Sequence, residues 1–199
     1  MPRTNAKEPL IRAARDLFST KGYDGTGVDE IAESIGIKGP TIYKYFKSKE
    51  DLLKAVTDQA DAEYIRGMEM TKDLPERINS GAELKEYVLK TLHFTTDNDT
   101  AIKMRKLVTM EQYRNSMFAD LTTMHQLTYI QNMYVPVFKR MMERGQMIAG
   151  DAEIIALEFI SPITIMIQLM DRHPEKKDEA FKTIETHIDV FIDRFLIRE

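Results

Sequence analysis

The sequence contains no cysteine. This absence excludes disulfides, thiolate nucleophiles and cysteine-containing zinc sites, and it favours a reducing compartment. The first nine residues hold no apolar stretch of the kind that a secretory signal needs. The longest uncharged apolar run, residues 159–170, is about half of the roughly 20 residues that a membrane-spanning helix needs. We therefore expect a soluble, cytoplasmic globular protein.

Patterns typical of catalysis or metal binding are also missing. The four histidines, His93, His125, His173 and His187, do not show the spacing of metal ligands. The glycine-containing segment 22–27 neither follows a strand pattern nor precedes Gly-Lys-Ser/Thr, so it does not match a phosphate-binding loop. No grouping of serine, histidine and aspartate indicates nucleophilic catalysis. We predict that the protein is not an enzyme and that it uses no metal and no cofactor.

The charge of the chain is unevenly distributed. The 199 residues carry a net charge of −4, yet residues 1–50 contain nine Lys or Arg against seven Asp or Glu. Residues 38–49 hold four lysines and no acid. A basic patch on an acidic chain favours a surface that binds a polyanion. An ordinary solvated lysine face would produce the same local charge, so charge alone leaves both interpretations open.

Apolar residues recur with helical periodicity along the sequence, and the alternating pattern of strands is missing. Two capping boxes, Thr26 with Asp29 and Ser48 with Asp51, predict where two of the helices begin. The sequence therefore predicts an all-α protein of about nine helices. They are expected near residues 10–21, 28–35, 40–46, 49–70, 82–96, 100–112, 115–144, 152–171 and 176–197.

The second and third of these helices form a predicted helix-turn-helix. A two-turn helix ends at Gly36, and a short helix rich in hydrogen-bond donors follows from Pro40. The major groove of B-DNA is wide enough for one such helix. Gly39 has no side chain, so we expect it to let the start of this short helix approach DNA closely. Many small helical hairpins share this pattern, so it is only moderately specific.

A longer motif is more specific. The sequence reads TGVDEIA at residues 26–32 and TIYKYFKSKEDL at residues 41–52, preceded by a Gly-Tyr pair at residues 22–23. The Ile-Tyr-x-Tyr-Phe-x-Ser-Lys-Glu block resembles the TetR family of repressors, and the resemblance covers roughly residues 7–56. It implies a homodimer that binds operator DNA and releases it when a ligand enters the C-terminal domain.

The resemblance also implies a domain organisation. A helix-turn-helix DNA-binding domain is expected at residues 1–48, and a helical ligand-binding and dimerisation domain at residues 49–199. Residues 49–70 are expected to form the helix that connects them.

Individual roles at the DNA follow from the resemblance and from side-chain chemistry. The resemblance implies that Tyr43 and Lys49 bind phosphates, and the N-terminus of the helix that opens at Lys49 adds backbone N–H groups. We expect Lys38, Thr41 and Lys44 to read bases, because a lysine reaches a guanine edge and a threonine meets a base methyl group or a phosphate.

The sequence departs from the family pattern at two places. Thr26 is followed by Gly27 where the family often has two threonines, and Gly39 stands where family members often carry a longer polar side chain. Tyr45 has core packing as an equal alternative to DNA contact. The complete predicted DNA-binding set is Thr26, Lys38, Gly39, Pro40, Thr41, Tyr43, Lys44, Tyr45 and Lys49.

Methionines and aromatic residues cluster in the C-terminal part of the sequence. Flexible thioethers suit an adaptable apolar pocket, and the family resemblance implies a pocket there for a small apolar or aromatic effector. The alternative is that these residues fill the core. The predicted pocket residues are Met104, Met110, Tyr113, Met117, Phe118, Tyr129, Met133, Phe159 and Met166.

The last two helices are predicted to form a homodimer through a four-helix bundle. Both are apolar over so much of their surface that a second subunit is expected to cover them. The predicted interface residues are Ile160, Ile163, Ile167, Met170, Ile184, Ile188, Phe191 and Phe195.

These features predict a ligand-responsive transcriptional repressor that binds a palindromic operator as a homodimer and is released by a small-molecule effector. Two alternatives belong to other classes. One is a helical dimerisation or adaptor protein without specific DNA binding, against which the basic segment 38–49 argues. The other is an enzyme built on a helical bundle, which would need a buried polar cluster that the sequence does not show.

Overall fold

The computed structural model describes residues 6–197. Over this range the chain is helical and contains no strand, only an isolated bridge between Met147 and Leu196. The predicted all-α fold is confirmed. The α-helices are α1 (Lys7–Lys21), α2 (Val28–Ser34), α3 (Lys49–Gly67), α4 (Leu74–Arg77), α5 (Gly81–Asp97), α6 (Asp99–Glu111), α7 (Ser116–Thr123), α8 (Tyr129–Glu143), α9 (Ala152–Arg172) and α10 (Lys177–Phe195).

Shorter helical segments complete this order. A 3₁₀ helix covers Gly39–Lys44, a π-helical segment covers Met124–Thr128, and a 3₁₀ turn covers Pro174–Lys176. The single helix predicted over 115–144 is thus α7, the π segment and α8 in succession. The short helix α4 lies between the helices predicted at 49–70 and 82–96, where no helix was expected.

The chain divides into two compact units. The first contains the residues up to Ile65 together with Asp99–Thr122, and the second contains Arg66–Asn98 and the residues from Thr123 onward. The unit that includes the helix-turn-helix therefore extends past residue 48, the boundary expected between the two domains. It does so because apolar side chains of α3, α6 and α7 pack into the same core as those of α1 and α2.

The core of the first unit joins residues that are distant in sequence. Phe18 of α1 and Ile42 of the 3₁₀ helix are fully buried in it, as are Leu107 of α6 and Phe118 of α7. The apolar periodicity of α1 explains its buried face, because residues three or four apart lie on one side of a helix. Packing this face on several partners holds the helix-turn-helix rigid.

One of the two predicted capping boxes is present. The Ser48 hydroxyl accepts a hydrogen bond from the Asp51 N–H at 3.1 Å, and the Asp51 carboxylate accepts one from the Lys47 N–H at 2.8 Å. The box predicted at Thr26 is wrong. Its hydroxyl donates instead to the Gly22 carbonyl at 2.8 Å, and Gly27 precedes the first residue of α2 without a side-chain cap.

The second unit is built around aromatic side chains. Tyr134 and Phe138 of α8, Phe159 of α9 and Phe191 of α10 are buried and contact one another with ring centroids 4.4–5.9 Å apart. Such pairs add stability beyond the area they bury. By length and composition alone, helix α9 is long and apolar enough to cross a membrane. Only 33% of its most apolar 18-residue stretch is buried, so part of its apolar surface is exposed.

Candidate nucleic-acid interface

The 3₁₀ geometry of Gly39–Lys44 determines which side chains face outward. With three residues per turn, residues i and i+3 lie on the same side. Gly39 and Ile42 share the buried side, Pro40 and Tyr43 share an exposed side, and Thr41 and Lys44 share a third side. The segment therefore presents a tyrosine, a threonine and a lysine outward while Ile42 anchors it in the core. We call Gly39–Lys44 the recognition helix.

Two glycines place the recognition helix against α2. Gly36 adopts a φ of +74° in the turn between them, a conformation that other residues rarely adopt. Gly39 is buried, and a Cβ atom there would lie 1.6 Å from Asp29 Oδ1. The missing side chain of Gly39 thus allows the recognition helix to pack on α2. The sequence had suggested that it allows a close approach to DNA.

The predicted DNA-binding residues differ in exposure. Lys38, Pro40, Tyr43 and Lys44 are exposed, with 59% of Tyr43 accessible. Thr41, Tyr45 and Lys49 are half-buried, whereas Gly39 and Thr26 are buried and present almost no surface. The structure brings the first seven of these residues onto one stretch of the first unit, around the recognition helix and the start of α3.

The lysines of this surface differ in their ion pairing from other lysines of the first unit. Within the described residues, Lys38, Lys44 and Lys47 form no ion pair, whereas elsewhere in the first unit Lys21 pairs with Glu30 and Lys54 pairs with Asp58 at 2.7 Å. An unpaired ammonium can bind phosphate without first breaking an internal ion pair. This surface therefore carries positive charges that are available to bind the phosphates of the DNA backbone.

Lys49 differs from the other lysines because aromatic rings hold it. Its Nζ lies 4.3 Å from the centroid of the Tyr23 ring and 5.9 Å from that of Phe18. A cation at such distances is attracted to the ring face. Burial, together with the neighbouring Glu50 carboxylate, raises the pKa of Tyr23, so Tyr23 remains a neutral phenol beneath the ammonium. Lys49 is also the first residue of α3, where free N–H groups favour an anion.

Sequence reasoning missed Glu111, a buried acid near this surface. Only 2% of Glu111 is exposed, and its carboxylate accepts a hydrogen bond from the Tyr23 N–H at 3.0 Å. The Phe118 ring packs edge-on against Tyr23 with centroids 6.0 Å apart. In the sequence Glu111 is one acid among many on helical surfaces, and only the fold brings it to Tyr23.

Comparisons with known proteins agree with this geometry. Residues 10–56 match the family model described as bacterial regulatory proteins, tetR family. Over these residues the chain resembles the TetR family. The match covers α1, α2, the recognition helix and the first part of α3, so it contains most of the interface described above.

Two curated transcriptional regulators are similar to part of the chain. The HTH-type transcriptional activator FasR of Mycolicibacterium smegmatis is 31% identical over 87 residues, which are 42% of this chain and 40% of FasR. The negative transcriptional regulator IcaR of the Staphylococcus aureus icaADBC biofilm operon is 48% identical over 46 residues, 23% of this chain and 25% of IcaR. The matches thus span less than half of the length of either relative.

Solved structures resemble the chain over nearly its whole length. A protein described as a TetR-family transcriptional regulator from Mesorhizobium loti has a TM-score of 0.77 at 21% identity, covering 99% of this chain and 100% of that one. SmeT, the repressor of the Stenotrophomonas maltophilia multidrug efflux pump SmeDEF, has a TM-score of 0.71 at 17% identity, with coverage of 98% and 92%. At these identities the likeness shows that the TetR fold is shared.

The residues predicted to line an effector pocket do not lie in one unit of the chain. Met104 and Phe118 are buried in the core of the first unit, and Met117 packs against that core. Met110 and Tyr113 are exposed, Tyr113 to 92%. In the second unit, Met133 and Phe159 are buried, and Tyr129 and Met166 are half-buried.

The second unit contains a cleft of about 380 Å³. One wall comes from the segment after α3, and the other from α8 around Pro136. Pro136 has no N–H, so the carbonyl of Asn132, four residues earlier, lacks the helical hydrogen bond it would otherwise accept. Of the nine predicted pocket residues, Met133 alone lines this cleft. Its lining residues are Met70, Thr71, Lys72, Leu74, Pro75, Asn132, Met133 and Pro136.

The residues predicted at the dimer interface are mostly buried within the second unit. Ile160, Ile163, Met170, Ile184, Ile188 and Phe191 are buried, and Ile167 and Phe195 are half-buried. The exposed apolar residues of α9 are different ones: Ile154, Leu157 and Ile165. Their spacing places them on one side of the helix. The exposed apolar residue of α10 is Val190.

Proposed function

We propose that this protein is a ligand-responsive transcriptional repressor that binds a palindromic operator as a homodimer and leaves it when a small-molecule effector binds. The observation that carries the proposal is the exposed recognition helix flanked by lysines without ion pairs. Lysines without ion pairs around an exposed short helix favour binding to a polyanion, which an adaptor without DNA binding does not require. The TetR-family match over residues 10–56 supports the same assignment.

At the DNA, the recognition helix supplies two kinds of contact. Lys44 and Thr41, on one side of the helix, are proposed to meet base edges, since lysine binds guanine O6 and N7 and threonine contacts the thymine methyl group. Tyr43 and Lys49 are proposed to bind phosphates, which fix register without reading sequence. Lys38 lies just before the recognition helix and adds a cation to the same surface.

The proposed homodimer uses the apolar surface that the second unit leaves exposed. Ile154, Leu157 and Ile165 of α9 are 59%, 40% and 56% exposed. Exposed apolar residues grouped on one side of a helix indicate an interaction surface, and here they lie beside Glu158, whose side chain is 53% exposed. Packing of α9 and α10 against their copies would cover this surface as a four-helix bundle. A symmetric dimer would bind a palindromic site, because the symmetry of the operator would match that of the protein.

The proposed effector is a small apolar or aromatic molecule, and the cleft of the second unit is the candidate site. Met70, Leu74 and Met133 provide apolar walls. The Asn132 carbonyl receives no hydrogen bond from residue 136, because Pro136 has no N–H, and this favours a ligand with a hydrogen-bond donor, such as a phenol. Lys72 lines the same cleft and forms no ion pair within the described residues, so it suits a carboxylate as well.

Repression rather than activation is proposed from the relatives named above. IcaR, a negative regulator, is 48% identical over its match of 46 residues. FasR, an activator, is 31% identical over its longer match. Placing the operator between a promoter and a reporter gene distinguishes the two: expression of the protein lowers the reporter signal of a repressor and raises that of an activator.

In vitro selection tests the proposal as a whole. The purified protein is used to enrich duplexes from a random library at about 100 mM salt. A repressor of this kind enriches a palindromic consensus with half-sites 10–10.5 base pairs apart or a multiple of this spacing. An adaptor without specific DNA binding leaves the library unenriched, and that result would contradict the proposal.

Screening phenols and aromatic carboxylates for a rise in melting temperature tests the cleft. A compound that binds should also lower the affinity of the protein for operator DNA, and operator DNA should lower the affinity for the compound by the same factor. The variant Thr71→Trp, which puts a large ring at the rim of the cleft, should abolish the shift. Ala82→Trp, an exposed position on α5, should leave it unchanged.

A further inference from the structure

We infer that Glu111 is a positioning residue for DNA binding: its buried carboxylate holds the backbone of Tyr23, and the Tyr23 ring supports the ammonium of Lys49. The inference rests on the proposed function, in which Lys49 binds an operator phosphate. It assigns a role at the DNA to α6, a helix that lies more than 40 residues beyond the matched family region and ends at Glu111.

The contact between Glu111 and Tyr23 is specific. The Glu111 carboxylate accepts the Tyr23 N–H at 3.0 Å. The preceding residue, Gly22, has a φ of +78°, and a Cβ there would lie 2.6 Å from Glu111 Oε1. The absence of a side chain at Gly22 therefore makes the room that the carboxylate occupies. Gly22 and Glu111 fit each other although 89 positions separate them in the sequence.

The burial of Glu111 has an energetic cost that packing alone does not explain. Only 2% of the residue is exposed, and within the described residues its carboxylate forms no ion pair. Removing a charged group from water is unfavourable unless partners replace the lost hydration. An apolar residue of the same size would fill the space at lower cost. What the carboxylate adds is a fixed position for the Tyr23 N–H.

Tyr23 transmits this position to the DNA surface. Its ring is held by Phe18 at 5.4 Å and by Phe118 at 6.0 Å, and it lies 4.3 Å from Lys49 Nζ. A lysine side chain has several rotatable bonds, and its freedom must be reduced before it binds phosphate. A ring fixed beneath the ammonium reduces that freedom in advance. Displacement of Glu111 would move the ring and release Lys49.

A double-mutant cycle between Glu111 and Lys49 tests the inference. Operator affinity is measured for the wild type, Glu111→Leu, Lys49→Ala and the double variant of the full-length protein, using a duplex from the selection described above. We expect Glu111→Leu to weaken binding roughly tenfold in the wild-type background and less than about twofold in the Lys49→Ala background. Glu111→Gln is the matched control, because its carbonyl still accepts the Tyr23 N–H, and it should bind as the wild type does.

Melting curves of all variants show whether they are folded. If Glu111→Leu does not fold, Glu111→Asp replaces it, since loss of one methylene withdraws the carboxylate from Tyr23 and keeps the charge. Equal effects of the Glu111 variant in both backgrounds, or no effect in a folded variant, would overturn the inference. A wild type that binds no operator, or a Lys49→Ala variant of unchanged affinity, would instead contradict the proposed function.

Discussion

The ammonium of Lys49 lies 4.3 Å from the centre of the Tyr23 ring. Lys49 is the first residue of α3, and Tyr23 lies two residues after the end of α1, so this contact joins the ends of the two helices. Residues from α1, α3, α6 and α7 meet at this point in one core. The proposed phosphate contact of Lys49 thus depends on residues of the whole first unit, and the helix-turn-helix alone does not contain all of them.

The contact between Gly39 and Asp29 predicts a loss of stability on a small substitution. Gly39→Ala places a methyl group 1.6 Å from the present position of Asp29 Oδ1, so either the Asp29 carboxylate must turn aside or the recognition helix must move away from α2. We expect the free energy of unfolding to fall by about 1–3 kcal/mol, measured by urea denaturation. Gly27→Ala is the control, because a Cβ there meets nothing within 4 Å, and it should change stability by less than 1 kcal/mol. The double variant Asp29→Ala, Gly39→Ala should regain most of the loss; a loss that persists would contradict this explanation.

The apolar face of α9 predicts how the oligomer responds to charge. Ile165→Glu changes a residue that is 56% exposed in the subunit, so it should leave the subunit folded and shift the dimer to monomer in sedimentation velocity at micromolar concentration. Ile188→Glu buries a charge at a position that is 0% exposed, and it should unfold the protein instead. Met110→Glu, in the first unit, should do neither. A wild type that is a concentration-independent monomer would contradict the dimer.

Glu69 predicts a pH-dependent contribution to stability. Hydrogen bonds from Lys90 and from Arg77 lower the pKa of the Glu69 carboxyl below its ordinary value. A lowered folded-state pKa stabilises the protein above the unfolded pKa, about 4.3, and this contribution is lost as the pH falls through the folded value. Glu69→Gln should therefore cost about 1 kcal/mol at pH 7 and progressively less below pH 4. The control is Glu86→Gln, an exposed glutamate of α5 without an ion pair within the described residues. A cost that does not vary with pH would show that the ion pairs are not its source.

Lys44 predicts a change in sequence preference. Lys44→Ala removes a proposed contact to a guanine edge, so it should reduce discrimination at one base pair of each half-site by about 1–3 kcal/mol. Competition among operators with single base-pair changes measures this. Lys54→Ala is the control, since Lys54 pairs with Asp58 at 2.7 Å on the exposed side of α3. Unaltered preferences at every base pair would remove Lys44 from base recognition.

The parts of the structure that sequence predicts are those set by local chemistry. The capping box at Ser48 and Asp51 and the burial of Ile42 follow from spacing within a few residues, and both are present. Thr26 fits the same capping pattern, but its hydroxyl is used by the Gly22 carbonyl in the turn after α1. Local pattern does not decide between two acceptable partners for one hydroxyl.

Contacts between distant segments are beyond such reasoning. Met104 and Met133 are alike in the sequence, yet the first lies in the core of the first unit and the second lines the cleft of the second. Glu111 gives no local signal of burial either, because a helix terminus with an acid is ordinary. The exposed face of α9 emerges only after the burial of Ile163 against neighbouring helices is known.

The salt dependence of operator binding is the most direct test of the central claim, that the lysine surface around the recognition helix binds DNA. Affinity is measured between 50 and 200 mM salt for the wild type and Lys49→Ala. The account predicts that log K falls linearly with log salt concentration in both, and that the slope of Lys49→Ala is smaller by roughly one because one phosphate contact is lost. Identical slopes, or a wild type whose affinity does not depend on salt, would contradict the account.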